Sequence, residues 1–304
     1  MQATPSAAHS GGERTGELFI IAETLLWSLF PVITILTFGT IMPLYSAAIS
    51  TLVAAAFFAG VLTVKRQWHH LLRRQAWGSI LLASLFIGLL FYVFMFTGLR
   101  YTTAGNASIL GLMEVFFSFV ILGVILRHEP LLPAHLLGGI LMVIGAGLIL
   151  LPDMSGWQQG NLLVIAATFF APWGNKYAQQ ARKMVSAEAI MFCRSILGGL
   201  FLLLFASFFE TAPSWAALRA STGFLLVNGV FLLGLSKIFW LEGIARLPIT
   251  KAISLGSLAP AFTLTIAYFV LHEQVTAMQV LGFLPIAFGV YLLTKRGAAV
   301  AVAA

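Results

Sequence analysis

HEPLLPAHLLGGILMVIGAGLILL, residues 128–151, and HEQVTAMQVLGFLPIAFGVYLLTK, residues 272–295, are two copies of one pattern. Each opens on a His-Glu pair, His128-Glu129 and His272-Glu273. Each keeps glycine at the same two steps, Gly138 with Gly282 and Gly145 with Gly289. Working outward, a register about two residues different pairs Arg100 with Arg246, Ser108 with Ser254 and Glu114 with Pro260. It also pairs Trp27-Ser28 with Trp173-Gly174. The chain is thus a tandem repeat. Apolar stretches fall near 18–38, 43–63, 78–99, 103–126 and 132–151 in the first copy. They fall near 161–181, 187–209, 222–243, 249–271 and 277–295 in the second. Each is close to the ~20 residues that a helix needs to cross a bilayer. Five spans per copy is an odd number, so the copies lie upside down to each other in the membrane.

The composition agrees. Of 304 residues, 60% are hydrophobic and 9% charged, against roughly 45–50% and about 25% in soluble domains. The ~10-residue alternating segments of a membrane β-barrel are absent. The expected fold is therefore an all-α membrane protein, with ten transmembrane helices as two inverted five-helix repeats around a central cavity. The boundaries read as a disordered cytoplasmic N-terminus over 1–17, a first repeat over 18–151 and a periplasmic linker over 152–160. A second repeat over 161–296 and a cytoplasmic tail over 297–304 follow.

A net charge of +7 could suggest nucleic acid, but the placement of the charges argues for topology. Arg14, Lys65, Arg66, Arg73, Arg74, Arg127, Arg182, Lys183, Arg246, Lys295 and Arg296 fall on one side of the spans, and only Arg100 and Arg219 on the other. The positive-inside rule then puts both termini in the cytoplasm. Trp157, Trp215 and Tyr101 are expected at the outer interface, Trp68 and Trp77 at the inner one. Cys193 is the only cysteine, so no intramolecular disulfide forms.

Polar residues recur at helical spacing, which places them on single faces. Thr24, Trp27, Pro31 and Thr34 share span one; Ser84, Gly88 and Tyr92 share span three; Thr103, Asn106, Glu114 and Ser118 share span four. Their counterparts are Thr168, Pro172, Asn175 and Gln179 on span six, and Asn228, Ser236 and Trp240 on span eight. Thr250, Ser254, Ser257 and Thr265 complete the set on span nine. Two matched sets suggest a shared cavity, and the competing reading is that Ser and Thr merely bond their own helix carbonyls. Candidate substrate contacts are Trp27, Tyr92, Asn106, Glu114, Trp173, Asn175, Asn228, Trp240, Ser254 and Ser257. Aromatic rings would hold an apolar body, and amides and hydroxyls would orient it.

Glu114 stands out because a charge near the bilayer midplane costs ~2.5–3.5 kcal/mol even on a lenient scale. It could bind a substrate ammonium, carry a proton, or pair with Lys237. Lys237 and Lys251 lie nearer the inner ends of spans eight and nine, where they could snorkel. Arg194, Glu23 and Glu242 are read as snorkelling or locally paired. Pro31, Pro172 and Pro260 fall near mid-span and are expected to kink their helices. Glycines of spans five and ten are read as packing surface, making these spans scaffold. No metal-ligand spacing, P-loop, cysteine cluster or nucleophile elbow occurs, so neither an enzyme nor a cofactor is expected.

LLWSLF at Leu25–Phe30 with APWGNK at Ala171–Lys176, and GLRYTTAGNASIL at Gly98–Leu110 with GIARLPITKAISL at Gly243–Leu255, resemble the EamA-type transporters of the drug/metabolite transporter superfamily. SLAP at Ser257–Pro260 and an acidic residue before the last helix of each repeat add to the resemblance, which runs from about Leu18 to Arg296. Glu114 departs from it, since a proline like Pro260 is common there. The resemblance implies a secondary transporter of the cell inner membrane, with spans one, three, four, six, eight and nine around the cavity. One branch, the YddG-type proteins, exports aromatic amino acids. The expected partners are a small amphipathic metabolite, an amino acid or amine, and the lipid bilayer, with export favoured and proton coupling at Glu114 open. A lipid-handling scaffold with a lateral opening is the alternative. Nucleic acid is not expected, and the oligomeric state is not legible.

Overall fold

The computed structural model describes residues 6–125, 133–151, 159–244, 246–247 and 249–294. His128, Glu129, Trp157, most of the linker and the tail from 295 onward lie outside the described residues. So do the side chains of Lys251 and Ser254.

The described residues form ten helical rods and no strand. In chain order α1 is Ser6–Ser28 continuing as Phe30–Thr37, α2 is Pro43–Val64 and α3 is Arg74–Arg100. α4 is Ala104–Gly111 followed by Met113–Ser118 and Phe119–Ile125, and α5 is Pro133–Leu150. α6 is Gln159–Arg182, α7 Ala187–Phe209 and α8 Trp215–Ile244. α9 is Ile249–Gly256 followed by Ala259–Val270, and α10 is Ala277–Thr294. Eight rods are long and apolar enough to cross a membrane. The exceptions are α6, which carries Thr168, Asn175, Lys176 and Gln179, and α9, whose break leaves only the short apolar piece Ala259–Val270.

α1 runs back to Ser6, through residues that the sequence reading placed in the N-terminal tail. Extending an existing helix costs far less than nucleating one. A contact holds the extension too: a methyl group added at Gly16 would lie 2.8 Å from Leu247 Cγ. Ile20, one turn on, is fully buried.

The repeated glycines of the opening sequences meet crosswise. α5 and α10 run antiparallel, and a methyl group on Gly138 would lie 2.8 Å from the Gly289 carbonyl oxygen. One on Gly145 would lie 2.5 Å from that of Gly282, and the reverse pairs are as close, at 2.6 and 2.7 Å. Small residues here let the two backbones touch. The far faces carry exposed Leu136, Ile140 and Ile144, and Leu281, Leu284 and Phe288, as a lipid-facing scaffold requires. Contacts elsewhere follow the same two-fold logic: α1 packs on α8 as α6 packs on α3, and α2 packs on α7.

Two proline breaks appear as expected. Pro31 opens Phe30–Thr37 and Pro260 opens Ala259–Val270, each in the first turn, where a missing N–H costs nothing. Pro172 lies inside the unbroken α6. Wider, π-type winding occupies Ser84–Phe91 in α3 and Val227–Leu235 in α8, counterparts in the two repeats. These windings hold Gly88, set against Gly198, and Gly229, set against Val53.

Candidate polar site at the crossing of the broken helices

The crossing of α4 and α9 positions the site. Both helices break at equivalent points, α4 at Leu112 and α9 at Ser257-Leu258. Before its break, α4 is fastened to α9 and α10. His272 takes a left-handed backbone, φ 55°, which ends α9 and turns the chain back. Glu273 then accepts hydrogen bonds from Ala104 N at 2.9 Å and Gly105 N at 3.3 Å, filling the open donors at the start of α4. Gln279 Nε2 donates to Asn106 Oδ1 at 2.9 Å and Thr103 Oγ1 at 3.3 Å. Deeper in, Ser108 Oγ donates to Thr263 Oγ1 at 3.0 Å, and Thr263 donates to the Ser28 carbonyl at 2.8 Å.

Past the break the two helices take different partners. Met113–Ser118 packs on α6, α10 and α5, while Ile249–Gly256 packs on α1, α10 and α8. Glu114 sits in the first turn of Met113–Ser118, where the positive end of a helix favours a carboxylate. Asn175 Nδ2 on α6 donates to its Oε1 at 2.9 Å. Glu114 lies deep in the bundle yet keeps partial solvent exposure, and Asn175 is exposed.

Charged and aromatic groups also meet between α1 and α8. Lys237 Nζ of α8 lies 3.3 Å from Glu23 Oε1 of α1 and 3.4 Å from the ring centre of Trp27. Trp27 in turn stacks on Phe30, 4.6 Å centre to centre and 4° from parallel. Lys237 is also within electrostatic reach of Glu114 and of the buried Arg194. On the α6 side, Trp173 stacks on Phe86 at 6.2 Å, and Lys176 Nζ is 5.9 Å from its ring centre. Two apolar grooves lie elsewhere, one lined by Ala56, Phe57, Gly60 and Val61, the other by Leu162, Leu163 and Ala166. They carry none of this chemistry. No cluster of three metal-binding side chains occurs among the described residues.

The EamA-like transporter family matches residues 14–151 and again 158–295, one copy per repeat. The chain belongs to the EamA-like transporter family. An uncharacterized transporter of Bacillus subtilis (strain 168), YoaV, is 24% identical over 284 residues, 91% of this chain and 96% of the relative. An uncharacterized transporter of Methanothermobacter thermautotrophicus is 25% identical over 305 residues, covering 93% of this chain and 87% of its own length. A solved crystal structure shares the fold, with a TM-score of 0.66 at 16% identity over 92% of this chain and 97% of the other. This EamA-like chain is therefore a multi-pass membrane transporter. The match does not reach to a branch of the family.

Within this EamA-like fold the candidate residues divide. Glu114 and Asn175 are joined by a hydrogen bond, and Lys237 links Trp27 to them by lying against its ring within electrostatic reach of Glu114, while Trp173 packs on Phe86. Three others are packed away, which corrects their reading as lining. Tyr92 is 4% exposed and wedged between Phe91 and Phe96. Asn106, also buried, is engaged by Gln279. Asn228 is fully buried and donates to Thr34 Oγ1 at 3.1 Å. Helical spacing assigns a face but not what that face meets, and these faces meet other helices. Trp240 is half-buried against Ile20, Leu247 and Ala252, and Ser257 lies in the break of α9. Ser254 lies outside the described side chains. Sequence reasoning underrated Glu23, Lys237 and Arg194 by assigning them to the inner surface. The available signal was opposite charge on α1 and α8, at neighbouring levels of helices that must touch in a two-fold arrangement. Glu242 does pair locally, with Arg246 at 2.5 Å.

Proposed function

We propose that the chain is a secondary transporter that carries a small amphipathic metabolite, an amino acid or amine, across the cell inner membrane by alternating access. Export is the favoured direction. The observation that carries this reading is Glu114, a carboxylate at a helix break, held by Asn175 and partly open to solvent. A partly accessible carboxylate suits a substrate ammonium, and aromatic side chains such as Trp27 suit an apolar body attached to it. Discontinuous helices crossing at the interface of inverted repeats are a recurrent way to build such a site. The fastened half of α4 acts as the closed gate in this conformation, and the parted half is the way in. The skew of Lys and Arg puts the parted end, and both termini, on the cytoplasmic side.

The test is uptake into liposomes holding the purified protein, with labelled amino acids and alkylamines, with and without a pH gradient. Transport of a protonated amine that Glu114→Gln abolishes, while an uncharged analogue is spared, is the expected result. Equal transport of amines by Glu114→Gln and the parent protein would remove the carboxylate from the site. Loss of the pH dependence with retained exchange would assign Glu114 to the proton instead.

A further inference from the structure

Lys237 is placed as a ligand would be. Its ammonium sits 3.4 Å from the centre of the Trp27 ring and 3.3 Å from the Glu23 carboxylate. Glu23 is only 6% exposed. An anion on one side and an aromatic face on the other are the two elements that hold a free primary ammonium. Phe30, stacked beneath Trp27, fixes the plane of the ring. The occupant is on a flexible four-carbon stem, which can withdraw without unfolding a helix. Arg194 lies within reach of the same ammonium and opposes its staying, while Glu114 offers a second carboxylate within electrostatic reach. The two-fold related tryptophan shows the contrast: Lys176 stands 5.9 Å from the Trp173 ring.

We infer that Glu23 and Trp27 form a seat for a primary ammonium, separate from Glu114, and that Lys237 is a tethered ammonium that occupies the seat until a substrate ammonium displaces it. The inference rests on the proposed transport reading for what the displacement achieves, but the seat itself does not. In the resting protein Lys237 neutralises Glu23. An arriving ammonium takes over that role and releases Lys237. Lys237 thereby sets a threshold for affinity and rejects uncharged molecules, which cannot replace its charge.

The seat can be tested without transport, using n-butylammonium chloride as the probe and equal potassium chloride as the control. In detergent, Lys237→Ala empties the seat. Its Tm is expected to rise by about 2 °C or more with n-butylammonium, while the parent protein shows no such rise. Adding Glu23→Gln to Lys237→Ala should abolish the rise, and adding Glu114→Gln should leave it. An equal response of the parent protein and Lys237→Ala, or a rise that depends on Glu114 and not Glu23, overturns the seat. A second measurement needs no variant, in case Lys237→Ala does not fold. Acetylation of Lys237 in the parent protein, read by mass spectrometry as a ratio to the surface residue Lys65, should increase about twofold or more as the probe displaces it. An unchanged ratio means that Lys237 is not displaced, and the inference fails. Failure of the transport reading would appear elsewhere, in unaltered amine uptake by Glu114→Gln.

Discussion

The two halves of α4 have opposite surroundings although they belong to one span. From Ala104 to Gly111 the polar side chains Asn106 and Ser108 bond Gln279 of α10 and Thr263 of α9, and Glu273 and Thr103 cap the first backbone N–H groups. From Met113 onward the same span carries Glu114, whose donor is Asn175 on α6, beside accessible space. The difference is set at Leu112, where the helix breaks. A continuous helix would stay in register with α9 along its whole length. A broken one can be fastened to α9 at one end while the other end packs chiefly on α6, although both halves touch α6 and α10.

Five substitutions would break or sharpen this contrast, in decreasing order of expected effect. Glu114→Gln acts on the open half alone. It should cost amine transport about 1.5–3 kcal/mol, the range for hydrogen bonds to charged groups, read as kcat/KM in liposomes, with Tm unchanged. Trp27→Ala and Trp173→Ala should each cost about 1–3 kcal/mol of substrate binding if the rings touch substrate. Here the two sides should differ, because Trp27→Ala also strips Lys237 of its aromatic partner and should lower Tm more than Trp173→Ala does. On the fastened half, Gly105→Val places a methyl group 2.6 Å from Leu264 Cδ2 and 2.9 Å from Gln279 Nε2. It should destabilise by about 1–3 kcal/mol as an overpacked contact, measured by thermal unfolding. Smallest is Glu273→Ala, expected to cost about 1 kcal/mol as a lost cap. Its sharper signature is labelling: a cysteine at Ser108, in a Cys193→Ala background, should react faster with a membrane-impermeant maleimide applied at the α4-start side. No change in that rate would mean that Glu273 does not hold the gate.

Much of this architecture was legible in the residues. The glycines at 138, 145, 282 and 289 announced a seam, and their two-copy register announced the inversion. Pro260 announced the break in α9, whereas the matching break at Leu112 was not read, because Glu114 replaces the proline there. The site was only half legible. Spacing placed Asn106 and Asn228 on polar faces as well as it placed Asn175, yet only Asn175 meets accessible space. Which neighbour covers a face depends on helix tilt and rotation, which one span's sequence does not encode. The π windings at Ser84–Phe91 and Val227–Leu235 had no signal, because they answer the close approach of α7 and α2 rather than any local preference.

The crosswise glycine contacts have a geometric consequence. Gly138 touches Gly289 and Gly145 touches Gly282, so the midpoint of the seam is a point that the pseudo-two-fold maps onto itself. In an inverted-repeat protein, swapping the conformations of the two repeats turns one face of the molecule into the other. A contact lying on the axis is its own mirror under that swap. Under the proposed alternating access the α5–α10 seam, like the contact between the counterpart helices α2 and α7, belongs to the axle: it looks the same before and after the exchange, so a probe fixed across it should report nothing while one between α4 and α9 should report a change.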